Sequence, residues 1–313
     1  MIDLSVDLGF LKLKNPVLAA SGTVGYGLEL LPFVDLNKLG GIVIKGLYFS
    51  PREGNPPPRL AETASGLLNA IGLQGIGVHE FSEKVLPRLK NYKTAVIVNV
   101  CGDSDEEYAA VVDFLNKKEG IAAFELNISC PNLKKDGLCP ALDPKATFSL
   151  VRLVKKVSLR PVITKLSPNV TNIVEIALSA QEAGSDGISL VNTFLAMSVD
   201  IETKRPRLAN ILGGLSGPAI KPIALRMVYQ VVSEVKIPVM GIGGIFSGAD
   251  ALEFLIVGAK AVQVGTANLI DPQITLKIIK EIEDYCRRKG IQRIEEIIGT
   301  LKVKGKRWRK KKT

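Results

Sequence analysis

The stretch ELNISCPN (125–132) places Asn127, Ser129, Cys130 and Asn132 at the end of an apolar run, IAAFEL (121–126). A thiol among two amides and a hydroxyl, with Pro131 locking the next turn, has two readings. Free cysteine is among the most buried residue types, so Cys130 can be a small core residue. The alternative is a reactive group at the mouth of a site. Other apolar runs end in the same manner, at Ser21, Lys45, Asn99, Lys165, Asn192 with Thr193, Gly243 with Gly244, and Gly265 with Thr266. Two lysines at the ends of apolar strands are costly to bury unless they meet an anion. Each position alone has a bland explanation, since a rim lysine can snorkel to water and an asparagine can cap the next helix. Their convergence on one face does not.

The elements that would bring these residues together recur along the chain. Short β-rich runs occupy 16–21, 41–46, 95–100, 122–129, 161–167, 187–193, 238–244 and 261–266. Amphipathic stretches such as EEYAAVVDFLNKK, TNIVEIALSAQEAG and ADALEFLIVGA lie between them, several ending in glycine as helix C-caps prefer. Continuous apolar strands alternating with helices imply a parallel sheet covered on its outside. Eight such units predict a closed (β/α)8 TIM barrel, with an open doubly wound sheet as the runner-up. No G-x-G-x-x-G follows the first strand; the nearest match, GIGGIF (241–246), has Phe in place of the third glycine. Connections 47–76, 130–143 and 194–216 exceed a minimal loop, and all leave the C-terminal ends of strands. On a barrel that face carries the active site, so these long βα loops are expected to form lids or partner surfaces.

Composition narrows the function classes. The 313 residues fit one large barrel, and 46% hydrophobic content argues against disorder. The N-terminus MIDLSVDLGF reads as neither signal peptide nor membrane span, and no other stretch is long and apolar enough, so a soluble, cytoplasmic protein is expected. The net charge of +10 is local: LKVKGKRWRKKKT (301–313) holds eight Lys or Arg and no acid, and removing those eight leaves the body near +2. The domain expectation is therefore a barrel over 1–301 with a basic tail over 302–313. The tail reads as a solvated terminus, with a nucleic-acid contact as the minority reading. The four cysteines lack Cys-x-x-Cys spacing and should be thiols. The single histidine, His79, rules out a two-histidine zinc motif and reads as a surface helix residue.

Strands 7 and 8 end in Gly243–Gly244 and Gly265–Thr266, where barrels often bind phosphate through backbone N–H groups. GGLSGPAIKP (213–222) adds Ser216 and Gly217 before Pro218, a good first helical residue. The inventory is a phosphate site, amides suited to a polar heterocycle, two cations and one thiol. Flavin mononucleotide (FMN) with a small amide-bearing substrate fits it, with Lys165 stabilising charge on the reduced ring. A flavin-free lyase or isomerase using the phosphate site stays open on these residues alone.

NISCPN, AETASGLLNAIGLQ (61–74), KLSPNVT (165–171), LANILGGLSGPAIKP (208–222) and AVQVGTAN (261–268) closely resemble dihydroorotate dehydrogenase. ETASGLLNAIGLQ looks like the NAD-linked class 1B catalytic subunit rather than the fumarate-linked class 1A homodimer, and no membrane-targeting extension of the quinone-linked class is present. The resemblance implies oxidation of (S)-dihydroorotate to orotate in pyrimidine biosynthesis. It also implies one FMN per chain, held by Ser21, Lys45, Gly46, Asn99, Asn127, Lys165, Val191, Gly217, Gly243, Gly244, Gly265 and Thr266. Substrate would meet Lys45, Asn69, Ala70, Ile71, Gly72, Leu73, Asn127, Asn132, Asn192 and Thr193, and Cys130 matches the catalytic base. Class 1B chains pair with a subunit carrying FAD and a [2Fe–2S] cluster, which implies a homodimeric core within a heterotetramer. A class 1A-like fumarate-reducing homodimer, or a related dihydropyrimidine dehydrogenase, is the alternative. Two departures stand out: the loop after CPN reads LKKDGLCPALDP, with Cys139–Pro140 where the family shows a Gly-rich stretch, and FLAMS follows Thr193 where the family shows GMR.

Overall fold

The computed structural model describes residues 2–129 and 139–303. Eight parallel strands close into a TIM barrel: β1 (Val17–Ala19), β2 (Gly41–Val43), β3 (Ala95–Val100), β4 (Ala123–Asn127), β5 (Val162–Leu166), β6 (Gly187–Leu190), β7 (Val239–Ile242) and β8 (Ala261–Val264). Each pairs with its neighbours in chain order. Closure comes from β8 meeting β1, with Val262 beside Val17 and Val264 beside Ala19. That pairing excludes the open doubly wound sheet. The strands are buried almost throughout because helices cover their outer faces.

The main covering helices are α1 (Asp105–Asn116), α2 (Pro144–Val157), α3 (Ile173–Glu182), α4 (Lys221–Glu234), α5 (Gly248–Val257) and α6 (Ile274–Lys289). Their starts follow from local chemistry. Ser104 Oγ accepts from Glu107 N at 3.2 Å and Ser247 Oγ from Asp250 N at 3.2 Å. Their stops do too: Gly258 and Gly290 follow α5 and α6 with φ of 116° and 68°, the left-handed region glycine enters cheaply. On α2, Leu150, Val151 and Val154 face the core while Lys155 and Lys156 sit in the last turn. Between β1 and β2 the described chain has 3-10 turns, Leu28–Leu30 and Leu36–Lys38, in place of an α-helix. His79 is exposed on a short helix, as expected, with its ring against Phe114 at 4.6 Å.

Most predicted runs extend past the observed strands at their C-terminal ends. Lys45, Gly46, Ser167, Asn192 and Gly243 lie beyond the strand ends, at the mouth of the barrel. There the first and third long connections do something a sequence pattern does not announce. They combine into one four-stranded antiparallel sheet, ordered Phe194–Met197, Leu212–Ser216, Gly66–Asn69, Leu60–Thr63. Leu67 pairs with Ser216 and Asn69 with Gly214, joining the loop after β2 to the loop after β6. The two backbones meet so closely that a Cβ on Gly66 would sit 2.2 Å from the Ser216 carbonyl oxygen. Of the second connection, residues 130–138 lie outside the described residues. Among those described, no helix is long and apolar enough to cross a membrane.

The opposite end of the barrel is tied by Asn15, which is 4% exposed. Its Oδ1 accepts from Val17 N and Gly40 N, each at 3.1 Å, and its Nδ2 donates to Lys38 O at 2.8 Å. Asn15→Ala strands the buried N–H of Val17, at a cost of about 1–3 kcal/mol, while Gly40 N keeps its bond to Val17 O. We expect the variant to lose about 2 kcal/mol in urea unfolding, at the high end of single substitutions.

Candidate active site

Two cavities open at the C-terminal ends of the strands. The first, of about 350 Å³, lies over the barrel interior; the second, of about 690 Å³, lies beside it under the antiparallel sheet. Asn69, Ile71, Leu73, Asn127, Asn192 and Thr193 line both, so the two are parts of one chamber sharing a wall.

The first cavity is lined by every residue expected to contact FMN. At its β7 side the N–H groups of Gly243 and Gly244 have no backbone acceptor among the described residues. Gly243 and Gly244 have φ of 133° and 68°. A Cβ on Gly243 would lie 2.6 Å from Ala224 Cβ, and one on Gly244 would lie 2.7 Å from Lys221 Cβ, so only glycine passes here. Lys221 is itself held by Asp250 at 2.6 Å and Glu253 at 3.0 Å, and the Asp250 hydrogen bond raises its pKa. Thr266 Oγ1 donates to Ser216 Oγ at 2.8 Å, linking β8 to the antiparallel sheet.

The two strand-end lysines differ. Lys45 is half-buried and forms no ion pair among the described residues; desolvation pulls its pKa below the ordinary 10.5, although the Glu29 charge opposes this. Lys165 is 6% exposed and faces a partner the sequence reading missed, Glu125, at 3.6 Å. Glu125 is 0% exposed, in the middle of β4. Its Oε1 accepts from Asn99 Nδ2 at 2.8 Å. Its Oε2 accepts from Ser189 Oγ at 2.8 Å and from Gln263 Nε2 at 2.7 Å. Since β4 and β8 stand opposite each other in the ring, the Gln263 bond crosses the barrel interior.

In the second cavity, Asn192 Nδ2 donates to Asn127 Oδ1 at 3.0 Å, and Thr193 N donates to Asn192 Oδ1 at 2.8 Å. Asn127 Nδ2 reaches Cys101 Sγ at 3.6 Å, and Tyr108 Oη donates to the Asn127 carbonyl at 2.6 Å. Cys101 is buried, as a core cysteine should be, yet its sulfur also approaches Asn99 Oδ1 at 3.7 Å, between the two amides that matter. Cys286 is buried away from the site, with desolvation pushing its thiol up. The expected NAIGL stretch, Asn69 to Leu73, lines the cavity from the sheet side. Gly72 and Leu73 turn there through φ of 73° and 54°, and a Cβ on Gly72 would strike Asn55. Leu73 is not glycine, and a left-handed leucine persists only where its surroundings dictate it. Cys130 and Asn132 lie outside the described residues. Arg52 and Tyr48 also line this cavity and were not singled out from the sequence; Arg52 stacks 3.6 Å over the Tyr48 ring and pairs with Asp103.

The arrangement offers anion-binding backbone, two ammonium groups of different pairing, and a bank of amides beside an open chamber. Comparison with known proteins gives it a lineage. The family model described as dihydroorotate dehydrogenase matches residues 3–286. A protein of Geobacter metallireducens, named dihydroorotate dehydrogenase B (NAD(+)), catalytic subunit, is 52% identical over 301 residues, covering 96% of this chain and 99% of its own length. One of Bacteroides fragilis with the same name is 51% identical over 303 residues, covering 97% and 100%. A solved structure of DHODH from Eimeria tenella in complex with ferulenol superposes with a TM-score of 0.77 at 22% identity, covering 95% of this chain and 88% of that one, a likeness of fold. With the family model matched across most of its length and half of its residues shared with such relatives, the chain belongs to the dihydroorotate dehydrogenase family.

Proposed function

We propose that this chain is the catalytic subunit of an NAD+-linked dihydroorotate dehydrogenase, oxidising (S)-dihydroorotate to orotate with FMN in the smaller cavity and substrate in the larger. The observation that carries the reading is the shared wall: cofactor and substrate chambers meet along Asn127, Asn192 and Leu73. The smaller cavity suits FMN because, among the described residues, it ends in N–H groups without backbone acceptors and carries Lys45 without an ion pair. When bound, FMN supplies the acceptor for the hydrogen leaving C6. Ser21, Gly46, Asn99, Val191, Gly217 and Gly265 would line it, with Gly243, Gly244 and Thr266 at the phosphate and Lys165 at the ring.

The chain's own residues do the rest. The linked amides of Asn127 and Asn192 suit the ring amides of the substrate, with Thr193, Asn132 and the Asn69–Leu73 stretch around them. Lys45, on the cofactor side of the shared wall, suits charge on the substrate's carboxylate or on the flavin. Cys130 is the base that takes the C5 proton; a thiol starts near ~8.5 and falls beside a cation. We assign this function to residues 1–301 and none of it to the basic segment 302–313.

The relatives' shared name, catalytic subunit, supports a partner, which we take to be an FAD and [2Fe–2S] protein passing electrons to NAD+. Leu60 and Leu269 line the cofactor cavity yet are each 52% exposed, and Ile270 beside them is 74% exposed, an apolar rim suited to such a partner. The outer strand Phe194–Met197 and its hairpin expose Leu195, Met197 and Ile201, which suits a second copy of the chain. A cytoplasmic setting agrees with Cys101, Cys139 and Cys286 remaining thiols.

Cys130→Ala is expected to keep its flavin while reduction by dihydroorotate in stopped flow slows about 10²–10⁴-fold, the usual worth of a positioned base. Unchanged reduction would remove Cys130 from the role. Lys45 supplies a pH test. Its folded-state pKa is lowered, so neutral lysine appears below pH 10.5, and an anion binds the charged form better. Orotate affinity, read from flavin absorbance, should therefore fall as pH rises toward 10.5, and the fall should vanish in Lys45→Arg. Electron acceptors separate the family classes: with the partner subunit present, NAD+ should support turnover, whereas fumarate-driven turnover by the chain alone would assign it to the fumarate-linked class.

A further inference from the structure

Glu125 is the feature the proposed chemistry leaves unused. It lines neither cavity, yet its two oxygens divide their partners by purpose. Oε1 faces Asn99 and Lys165, both of which line the cofactor cavity. Oε2 is fastened to Ser189 and Gln263, which line neither cavity. The carboxylate thus fixes groups from the strands on either side of β4 by anchoring itself to β6 and β8. Apart from the lysine, every partner among the described residues is neutral, so Lys165 and Glu125 form a buried pair of opposite charges. At 3.6 Å such a pair acts at longer range as a dipole, with a far weaker field than the ammonium group alone.

We propose that Glu125 is a positioning residue that holds Lys165 and Asn99 against the cofactor and offsets the lysine's charge, so that the pair sets the electrostatic potential at the flavin ring. The inference rests on FMN occupying the smaller cavity. The network itself permits a clean substitution. Gln263 Oε1 is buried without a hydrogen-bond partner, so the Gln263 amide can turn over and accept from the new amide in Glu125→Gln. With the Ser189 hydroxyl turned to accept the second amide hydrogen, the same contacts can be kept while the negative charge goes.

The test uses the full-length chain purified with its flavin, reading the two-electron midpoint potential of FMN and the affinity of the ring for sulfite, neither of which requires turnover. Glu125→Gln should raise sulfite affinity at least tenfold and shift the oxidised–reduced equilibrium equally toward the reduced flavin, about 30 mV for a two-electron couple. Gln263→Leu, which loosens the same carboxylate without altering charge, should change neither by more than about twofold. Values within twofold of wild type in Glu125→Gln, or an equal shift in Gln263→Leu, overturn the proposal. Removing both charges in Glu125→Gln/Lys165→Met keeps the net charge and guards against a misfolded single variant. Its sulfite affinity should lie nearer wild type than that of Lys165→Met alone; equality with Lys165→Met overturns the offset. A colourless wild type would overturn the cofactor assignment along with it. A yellow one with an unmoved Glu125→Gln overturns the role of Glu125 only.

Discussion

The site depends on a carboxylate buried at the centre of the barrel. A charge with no exposure is tolerable only if donors surround it, and the donors to Glu125 come from β3, β6 and β8, with the Lys165 ammonium on β5. Such a convergence requires the sheet to be closed, because β4 and β8 lie on opposite sides of the ring. Barrel closure and the polarity of the interior are therefore one requirement. An open sheet would leave Gln263 remote from Glu125 and the acid without its full shell of donors. Breaking a buried pair by removing one partner is typically worth 3–5 kcal/mol, which makes this polar centre a constraint on the fold as well as on the site.

Above that centre, the mouth is organised by backbone. The antiparallel sheet joins the connections after β2 and β6, and the Arg52–Gly75 pairing (N to O at 2.8 and 2.9 Å) closes the base of the first. The NAIGL stretch thereby leaves a ladder at Asn69 and is held beyond it by backbone bonds, Ala70 N donating to Arg59 O and Ile71 O accepting from Asn55 N. Glycines are placed where a side chain would collide: Gly66 against Ser216, Gly72 against Asn55, Gly243 against Ala224. Sites supported by sheet and by close backbone packing hold their geometry better than sites on isolated loops.

Much of this was legible in the residues. Eight apolar runs with amphipathic intervals between most of them specify the barrel, because continuous apolar strands must be covered by helices on their outside. The strand-end residues converge because a parallel barrel puts all its strand ends on one face, so Ser21 and Thr266 needed no further signal to become neighbours. Glu125 was not read, although an acid inside AAFELN was visible. The lysine at 165 was read only toward the cofactor, and its second partner, Glu125 at 3.6 Å, was not seen. The signal was available in principle: a lone acid in a buried strand must have partners, and Lys165 stands near the end of the neighbouring strand. Cys101 was expected only to be a thiol, and its contacts with Asn99 and Asn127 depend on side-chain placement that no spacing encodes. The joint sheet was illegible because antiparallel pairing between residues 67 and 216 leaves no periodic trace across such a separation.

On the proposed placement of cofactor and substrate, the wall common to the two cavities means that neither ligand can be tuned independently of the other. Leu73, Asn127 and Asn192 answer to both chambers at once, and Leu73 does so from a left-handed backbone that few side chains would accept. A replacement that reshaped the larger chamber for a bulkier ring would also reshape the bed of the smaller one. Selectivity for one molecule is thereby bound to retention of the other, and freedom to diverge passes to residues that border a single chamber, among them Arg52, Asn55 and Ser167.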